Sequence, residues 1–449
     1  MRSGQASLTE GPIGPTLLRF AVPFLLSSLL QSLYGAADLF VVGQFSGSAA
    51  VSAVSIGSQV MQTITCIIWG LSTGGTVLIG RRVGERSPEK AASAVGTMAL
   101  LFCLAALLLT PAMYLCTDGA IALMHTPAEA VEDTRSYLVI CSMGIPFIIG
   151  YNAAAGMFRG VGDSRTPVFF IALACAINIA ADLLLAGGLG MGAAGAALAT
   201  IFAQGVSFLA SLWYILRRGL GEIRLSKRDL RLDPQCVRQI LKVGIPLALQ
   251  DTLVHGSFLI ITAFINALGL VASAAVGVVE KIITFAMLPP SSFAAAVAPM
   301  ASQNLGARRP DRAWKTLWYG IGFSLICGLL TAGYSQLWPQ SLTGIFSRDP
   351  AVVAAGAGYL RTYAWDCVLT SFIFSINSYF SSRGKAAVSF LHSILATFGV
   401  RIPLTYYFSR QAAVSLSAMG LAAPAATLLS LLICLPYLYW LRRREDLSA

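Results

Sequence analysis

Read for its hydrophobic and polar positions, the chain is a series of mostly apolar segments of about 20 residues or more, separated by short polar stretches. At 1.5 Å per residue, such a segment crosses a hydrocarbon core of about 30 Å as a helix. Twelve of them stand at approximately 16–42, 51–79, 91–116, 134–157, 165–187, 191–216, 239–265, 272–301, 313–337, 352–379, 386–408 and 414–440. The pattern predicts an all-α integral membrane protein of twelve transmembrane helices. The first segment is too long for a signal-peptide core and lacks a clean small-residue cleavage site, so it reads as a retained helix.

Composition agrees with a lipid solvent. Of the 449 residues 56% are hydrophobic and 11% charged, and the mean hydropathy is +0.73; a water-soluble domain carries about 25% charged residues. The net charge of +11 does not point to nucleic acid, because the basic residues fall in alternate loops, whereas the loop near 117–135 holds Asp118, Glu129, Glu132 and Asp133. By the positive-inside rule both termini are expected in the cytoplasm, which requires an even number of spans. The nine cysteines include Cys66, Cys103 and Cys175 within spans and form no C-x-x-C pair, which argues against a disulfide framework or a zinc site.

The chain repeats itself. "VGERSPEKA" (Val83 to Ala91) returns as "LGARRPDRA" (Leu305 to Ala313) at an offset of 222. "FRGVGD" (Phe158 to Asp163) faces "FSSRGK" (Phe380 to Lys385) at the same offset, and "RFAVP" faces "KVGIP" at 223. Six helices per half is even, so the repeat is parallel and its axis lies along the membrane normal. The expected organisation is a first lobe at 1–216, a cytoplasmic linker at 217–238 and a second lobe at 239–449. In the linker, Asp233 and Pro234 suit an N-cap and a first helical position. A two-lobed bundle of this kind usually places its substrate cavity between the lobes and works by alternating access.

Two carboxylates stand out. Asp38 is the only formal charge between Arg19 and Arg81, and Asp182 the only one between Arg165 and Arg217. An intramembrane carboxylate costs about 2.5 to 3.5 kcal/mol at a helix centre and usually faces a polar interior. Asn178 precedes Asp182 by four positions and shares its helix face. Counted from Gly43, Gly187 and Gly190 as outer ends, Asp38 and Asp182 lie at matching depth, with Asn178 and Thr200 somewhat deeper. Tyr137 is placed to lid this group or to hydrogen-bond to it. Hard oxygen ligands of this kind suit an alkali cation or a shared proton, and two carboxylates side by side in a low dielectric call for one or the other.

"RFAVPFLLSSLLQSLYGAADLFVVGQFSGSAAVSAVSI", the "FRGVGDSRTP" turn and "GAAGAALAT" ending at Thr200 resemble the multidrug and toxic compound extrusion (MATE) family of prokaryotic efflux antiporters over nearly the whole chain. The resemblance implies a coupling ion, Na+ or H+, held at Asp38, Asn178, Asp182 and Thr200. It also implies that the first helix bends at Pro23; independently, a proline there removes a backbone bond and permits a kink. The implied function is export of amphipathic, cationic small organic compounds in exchange for the ion, across the plasma membrane. No cofactor, nucleic acid or second chain is implied, and the expected partners are the substrate and membrane lipids, with the chain a monomer. A flippase for a lipid-linked or amphipathic metabolite is the rival within the same superfamily. An enzyme is not expected, since three dispersed histidines and the lack of G-x-S-x-G and H-E-x-x-H offer no catalytic cluster.

In the second half, Asp251 with His255, Glu280 beside Lys281, and Asp366 are candidates for a cavity or second ion site, without a clean motif. Asp251 and His255 are spaced to form a buried pair. Pro289 and Pro290 are expected to break their helix. "GLGMGAAG" reads as an external turn followed by close helix packing at Gly188 and Gly192, not as a dinucleotide loop.

Overall fold

The computed structural model describes residues 8–226, 228–411 and 415–446. Lys227 of the linker, the start of the last predicted span and the final residues 447–449 lie outside that range. Among the described residues every regular element is helical. The first half comprises α1 (Ile13–Phe45), α2 (Ser48–Gly84), α3 (Pro88–Leu123), α4 (Val131–Val161), α5 (Arg165–Asp182) and α6 (Gly192–Arg218). The second comprises α7 (Pro234–Asn266), α8 (Leu270–Ala286), α9 (Leu288–Gly306), α10 (Pro310–Leu337), α11 (Pro339–Phe346), α12 (Pro350–Tyr363), α13 (Trp365–Ser382), α14 (Ala386–Ala396), α15 (Ile402–Ser409), α16 (Leu416–Gly420) and α17 (Ala422–Asp446).

Eleven of the twelve predicted spans are helical stretches long and apolar enough to cross a membrane. The remaining one, the tenth, predicted at 352–379, is two helices, α12 and α13, parted at Ala364. Asp366 occupies the first turn of α13, where a carboxylate complements the exposed N–H groups of a helix start. The eighth span is likewise interrupted, at Met287, just before Pro289 and Pro290. Both prolines then lie in the first turn of α9, where a missing N–H costs nothing.

The repeat is visible in the backbone. In one copy the amides of Glu85, Arg86 and Ser87 donate to the carbonyls of Arg81, Val83 and Arg82; in the other, Ala307, Arg308 and Arg309 donate to Gln303, Leu305 and Asn304. Arg86 and Arg308 both adopt a left-handed conformation, with φ of 53° and 57°. Gly162 closes α4 and Gly384 follows α13 with φ of 90° and 68°. A turn requiring positive φ selects glycine at most positions, so two arginines sharing it mark one loop design used twice.

The chain divides into two compact units. The first holds residues 8–11, 19–248 and 302–309, and in it α4 runs against α2, α3 and α6. Its core includes Val42, Val54, Met98, Ile145 and Phe158. The second holds residues 12–18, 249–301 and the described chain from Pro310 onward; there α13 packs on α10 and α17, and α12 on α8 and α16. Within the linker region Asp233 accepts from the amide of Gln235 at 2.8 Å, capping α7 ahead of Pro234. That bond, with the Cys236 thiol contact, holds its carboxyl below the usual aspartate range.

Candidate ion-binding site

Three local features bring α1, α5 and α6 together. Gly162 ends α4 in the left-handed region, and the Asp163 carboxylate accepts from the amides of Arg165 and Thr166 at 3.0 Å each, starting α5. Past Asp182, α5 widens into a π-helical turn, Leu183–Gly188. Such turns occur mostly as single inserts and frequently beside functional residues. Gly187 in this turn lies under the Phe45 ring at the end of α1, and Gly195 of α6 packs on the backbone of Leu185 and Ala186. The close approach is therefore at Gly187 and Gly195, not at Gly188 and Gly192 as the sequence suggested. Gly192 instead supplies a positive φ of 54° at the start of α6.

The result is one buried polar group. Asp38 is 6% exposed, and Asn178 and Asp182 are fully buried. The Thr200 hydroxyl donates to Asp38 Oδ2 at 3.4 Å, and the side chains of Asp182 and Asn178 lie against the same carboxylate. All four residues expected from the sequence thus converge.

Tyr34, four positions before Asp38 on the same face of α1, joins them. Its buried hydroxyl faces Thr200 and the two carboxylates. The i, i+4 spacing that links Asn178 to Asp182 was equally legible between Tyr34 and Asp38.

Tyr137 takes a different place. Its hydroxyl meets Ser58 Oγ at 3.3 Å and its ring covers Gly57, so it backs the site without bonding to either carboxylate.

What these atoms lack is informative. Tyr34 OH, Asp38 Oδ1, both oxygens of Asp182 and both polar atoms of Asn178 are buried without a hydrogen-bond partner in the protein. A buried polar group left unpaired costs about 1 to 3 kcal/mol, and more when charged. None of the ion pairs formed by described residues involves Asp38 or Asp182. The donor set is carboxylate, amide and hydroxyl oxygen, and no group of three His, Cys, Asp or Glu occurs among the described residues. That chemistry fits a hard monovalent cation or a proton rather than a transition metal.

The second-half candidates do not form a corresponding group. His255 is exposed on α7, and Asp251 forms no ion pair or hydrogen bond with it among the described residues. The expected buried pair is therefore not made; the two side chains share a helix without a hydrogen bond or ion pair between them among the described residues. Glu280 is half-buried with Tyr359 nearby, while Lys281 points outward. Asp366 is buried and bonded to Thr427 of α17, with Arg401 at 3.9 Å. Arg401 was legible too, being the only formal charge in 386–408.

Comparison with known proteins decides the family. The MatE family model matches the chain twice, at residues 23–184 and 246–407. The chain belongs to the MatE family. The two matches are of equal length and offset by 223 residues, in register with the repeated motifs.

Among MatE relatives, the probable multidrug resistance protein YoeA of Bacillus subtilis is 27% identical over 435 residues, 96% of this chain and 94% of its own. A protein named FAD transporter from Shewanella oneidensis is 25% identical, over 77% of each chain. A solved structure described as the outward-facing conformation of a multidrug resistance MATE family transporter superposes with a TM-score of 0.89 at 22% identity, over 97% of both chains. A MATE structure in a bent conformation gives 0.89 at 23%, over 97% of this chain and 96% of its own. The fold is that of a MATE transporter.

Proposed function

We propose that this protein is a secondary antiporter that exports amphipathic, cationic organic compounds in exchange for Na+ or H+. In this reading the ion enters from outside and is held by Asp38, Asn178, Asp182 and Thr200, with Tyr34 as a fifth oxygen. The observation that carries it is the set of buried, unpartnered oxygens around the Asp38–Thr200 bond. Two carboxylates packed together without a protein cation need a mobile one, and a mobile cation bound in only one conformation is what couples an ion gradient to transport.

Pro23 supplies the movement. It lies inside α1, where its ring removes the backbone bond to the preceding turn and lowers the cost of bending. Bending α1 alters the distance between Asp38 and the α5 and α6 ligands, so ion affinity differs between the two conformations. Occupancy then biases the equilibrium by the difference in affinity, about 1.4 kcal/mol for each tenfold. In this reading the cycle runs in a prokaryotic plasma membrane, and the distribution of Lys and Arg supports cytoplasmic termini.

The test is dye efflux from cells expressing Asp38→Asn or Asp182→Asn, with protein level checked by blot. Export is expected to fall to that of cells without the transporter. Undiminished export in both variants contradicts the assignment.

A further inference from the structure

The second half of the chain has its own buried acid, and the structure gives it a built-in cation. Asp366 is 1% exposed; its Oδ1 accepts from the Thr427 hydroxyl and its Oδ2 lies 3.9 Å from Arg401 Nη2. Arg401 ends the π-helical turn Thr397–Arg401 between α14 and α15. Its guanidinium carbon stands 4.6 Å over the Phe258 ring of α7, a cation–π geometry that holds the group in place. Tyr359 and Tyr363 of α12 face both Asp366 and Arg401, and Glu280 of α8 faces Tyr359.

The repeat relates this cluster to the first-half site. The offset is 223 at Pro23 and Pro246, 222 at Gly162 and Gly384, and 223 again where the two family matches end, at 184 and 407. The π turn Thr397–Arg401 lies between the last two, and a π turn is one inserted residue, which accounts for the return to 223.

In that register Asn178 corresponds to Arg401 and Asp182 to Thr405. Asp38 falls on isoleucine and Thr200 on alanine whether the offset is 222 or 223, at Ile260 or Ile261 and at Ala422 or Ala423. Both carboxylates and the Thr200 hydroxyl have no equivalent. A guanidinium stands at the position of the amide, and Ile261 and Ala423 belong to an apolar cluster with Tyr359 and Tyr363.

We propose that Arg401 is a tethered cation, permanently doing in the second half what the transported ion does in the first. A guanidinium does not give up its proton in a protein, so it neutralises Asp366 in every conformation that keeps them together. The second half then binds no coupling ion, and each chain carries one ion site. This rests on the ion-coupled reading of the first-half site.

The experiment measures melting temperature of the purified full chain in detergent against Na+ concentration and against pH. Apart from the acid-side contribution of the Asp233 cap, the ion-dependent shift of the wild type is expected to arise in the first half, so Asp38→Asn with Asp182→Asn removes it. Adding Arg401→Met in that background leaves Asp366 without its cation. A new dependence on Na+ or pH is then expected, and Asp366→Asn removes it.

A residual ion-dependent shift in the Asp38, Asp182 double variant that Asp366→Asn abolishes would overturn the proposal. So would an Arg401→Met protein that acquires no ion dependence. If Arg401→Met prevents folding, recovery of yield on adding Asp366→Asn supports the pair and lack of recovery contradicts it. A wild type indifferent to both ions refutes ion coupling at the first-half site, while the comparison of Arg401→Met with its Asp366→Asn partner still decides the role of Arg401.

Discussion

Thr200 on α6 donates to Asp38 on α1 across 3.4 Å, a hydrogen bond that ties the two helices at the proposed ion site. Replacing Thr200 by Ala removes an oxygen ligand and a net interaction of about 1 kcal/mol, so the coupling ion is expected to bind about fivefold more weakly. Thr200→Ser retains the oxygen and is expected to retain affinity. Ion titration of the melting temperature separates the two variants; equal affinity in Ala and Ser would remove Thr200 from the site.

Tyr34 contributes a hydroxyl that has no protein partner. Tyr34→Phe therefore leaves the ion-free protein as stable as before, or slightly more so, because an unpaired buried polar group is removed. Ion affinity is expected to fall by about fivefold. A variant destabilised without ion but unchanged in affinity would mean that the hydroxyl has a structural partner instead.

Gly195 is where α6 meets the π turn. A Cβ there would lie 2.8 Å from the Ala186 amide nitrogen and 2.9 Å from the Leu185 carbonyl carbon, backbone atoms that cannot swing aside. Gly195→Leu is expected to cost about 1 to 3 kcal/mol by overpacking and to separate Thr200 from Asp38, lowering both melting temperature and ion affinity. Gly190→Ala, at a turn position with nothing near its missing Cβ, is the control for position, with only the strain of its φ of 65°.

Asp233 caps α7 through Gln235. Asp233→Ala is expected to lower stability by about 1 kcal/mol at neutral pH, read by thermal melting in detergent. The bonded carboxyl titrates below its unfolded value, so the cap's contribution is present above the ordinary aspartate range. It is lost as pH falls through the folded value. The gap between wild type and Asp233→Ala should therefore close on acidification and persist toward alkaline pH.

Much of this was legible in the sequence because a membrane imposes few solutions. Long apolar runs name their own helices, and a charge inside such a run, as at Asp38 or Asp182, stands out against its surroundings. Prolines 289 and 290 gave the break before α9 directly. The break at Ala364 carried no such signal, since neither proline nor glycine marks it. Tyr34 was missed because a tyrosine in a span does not stand out as a carboxylate does, although its spacing to Asp38 was there to read. The Asp251 and His255 pairing failed because a shared helix face does not decide which neighbour each side chain meets. Arg401 and Asp366 meet from segments separated by a whole helix and turn, and no local pattern joins them.

In the proposed cycle a cation gradient acting through Asp38 and Asp182 drives export. The most direct measurement is transport into proteoliposomes containing the purified protein, with a Na+ gradient and a pH gradient imposed separately and a panel of cationic, neutral and anionic dyes. Movement of a cationic amphipathic dye is expected under one of the two gradients, at least about tenfold above protein-free vesicles, and is expected to vanish in Asp38→Asn. Dye movement that ignores both gradients, or that survives Asp38→Asn at the wild-type rate, would contradict it.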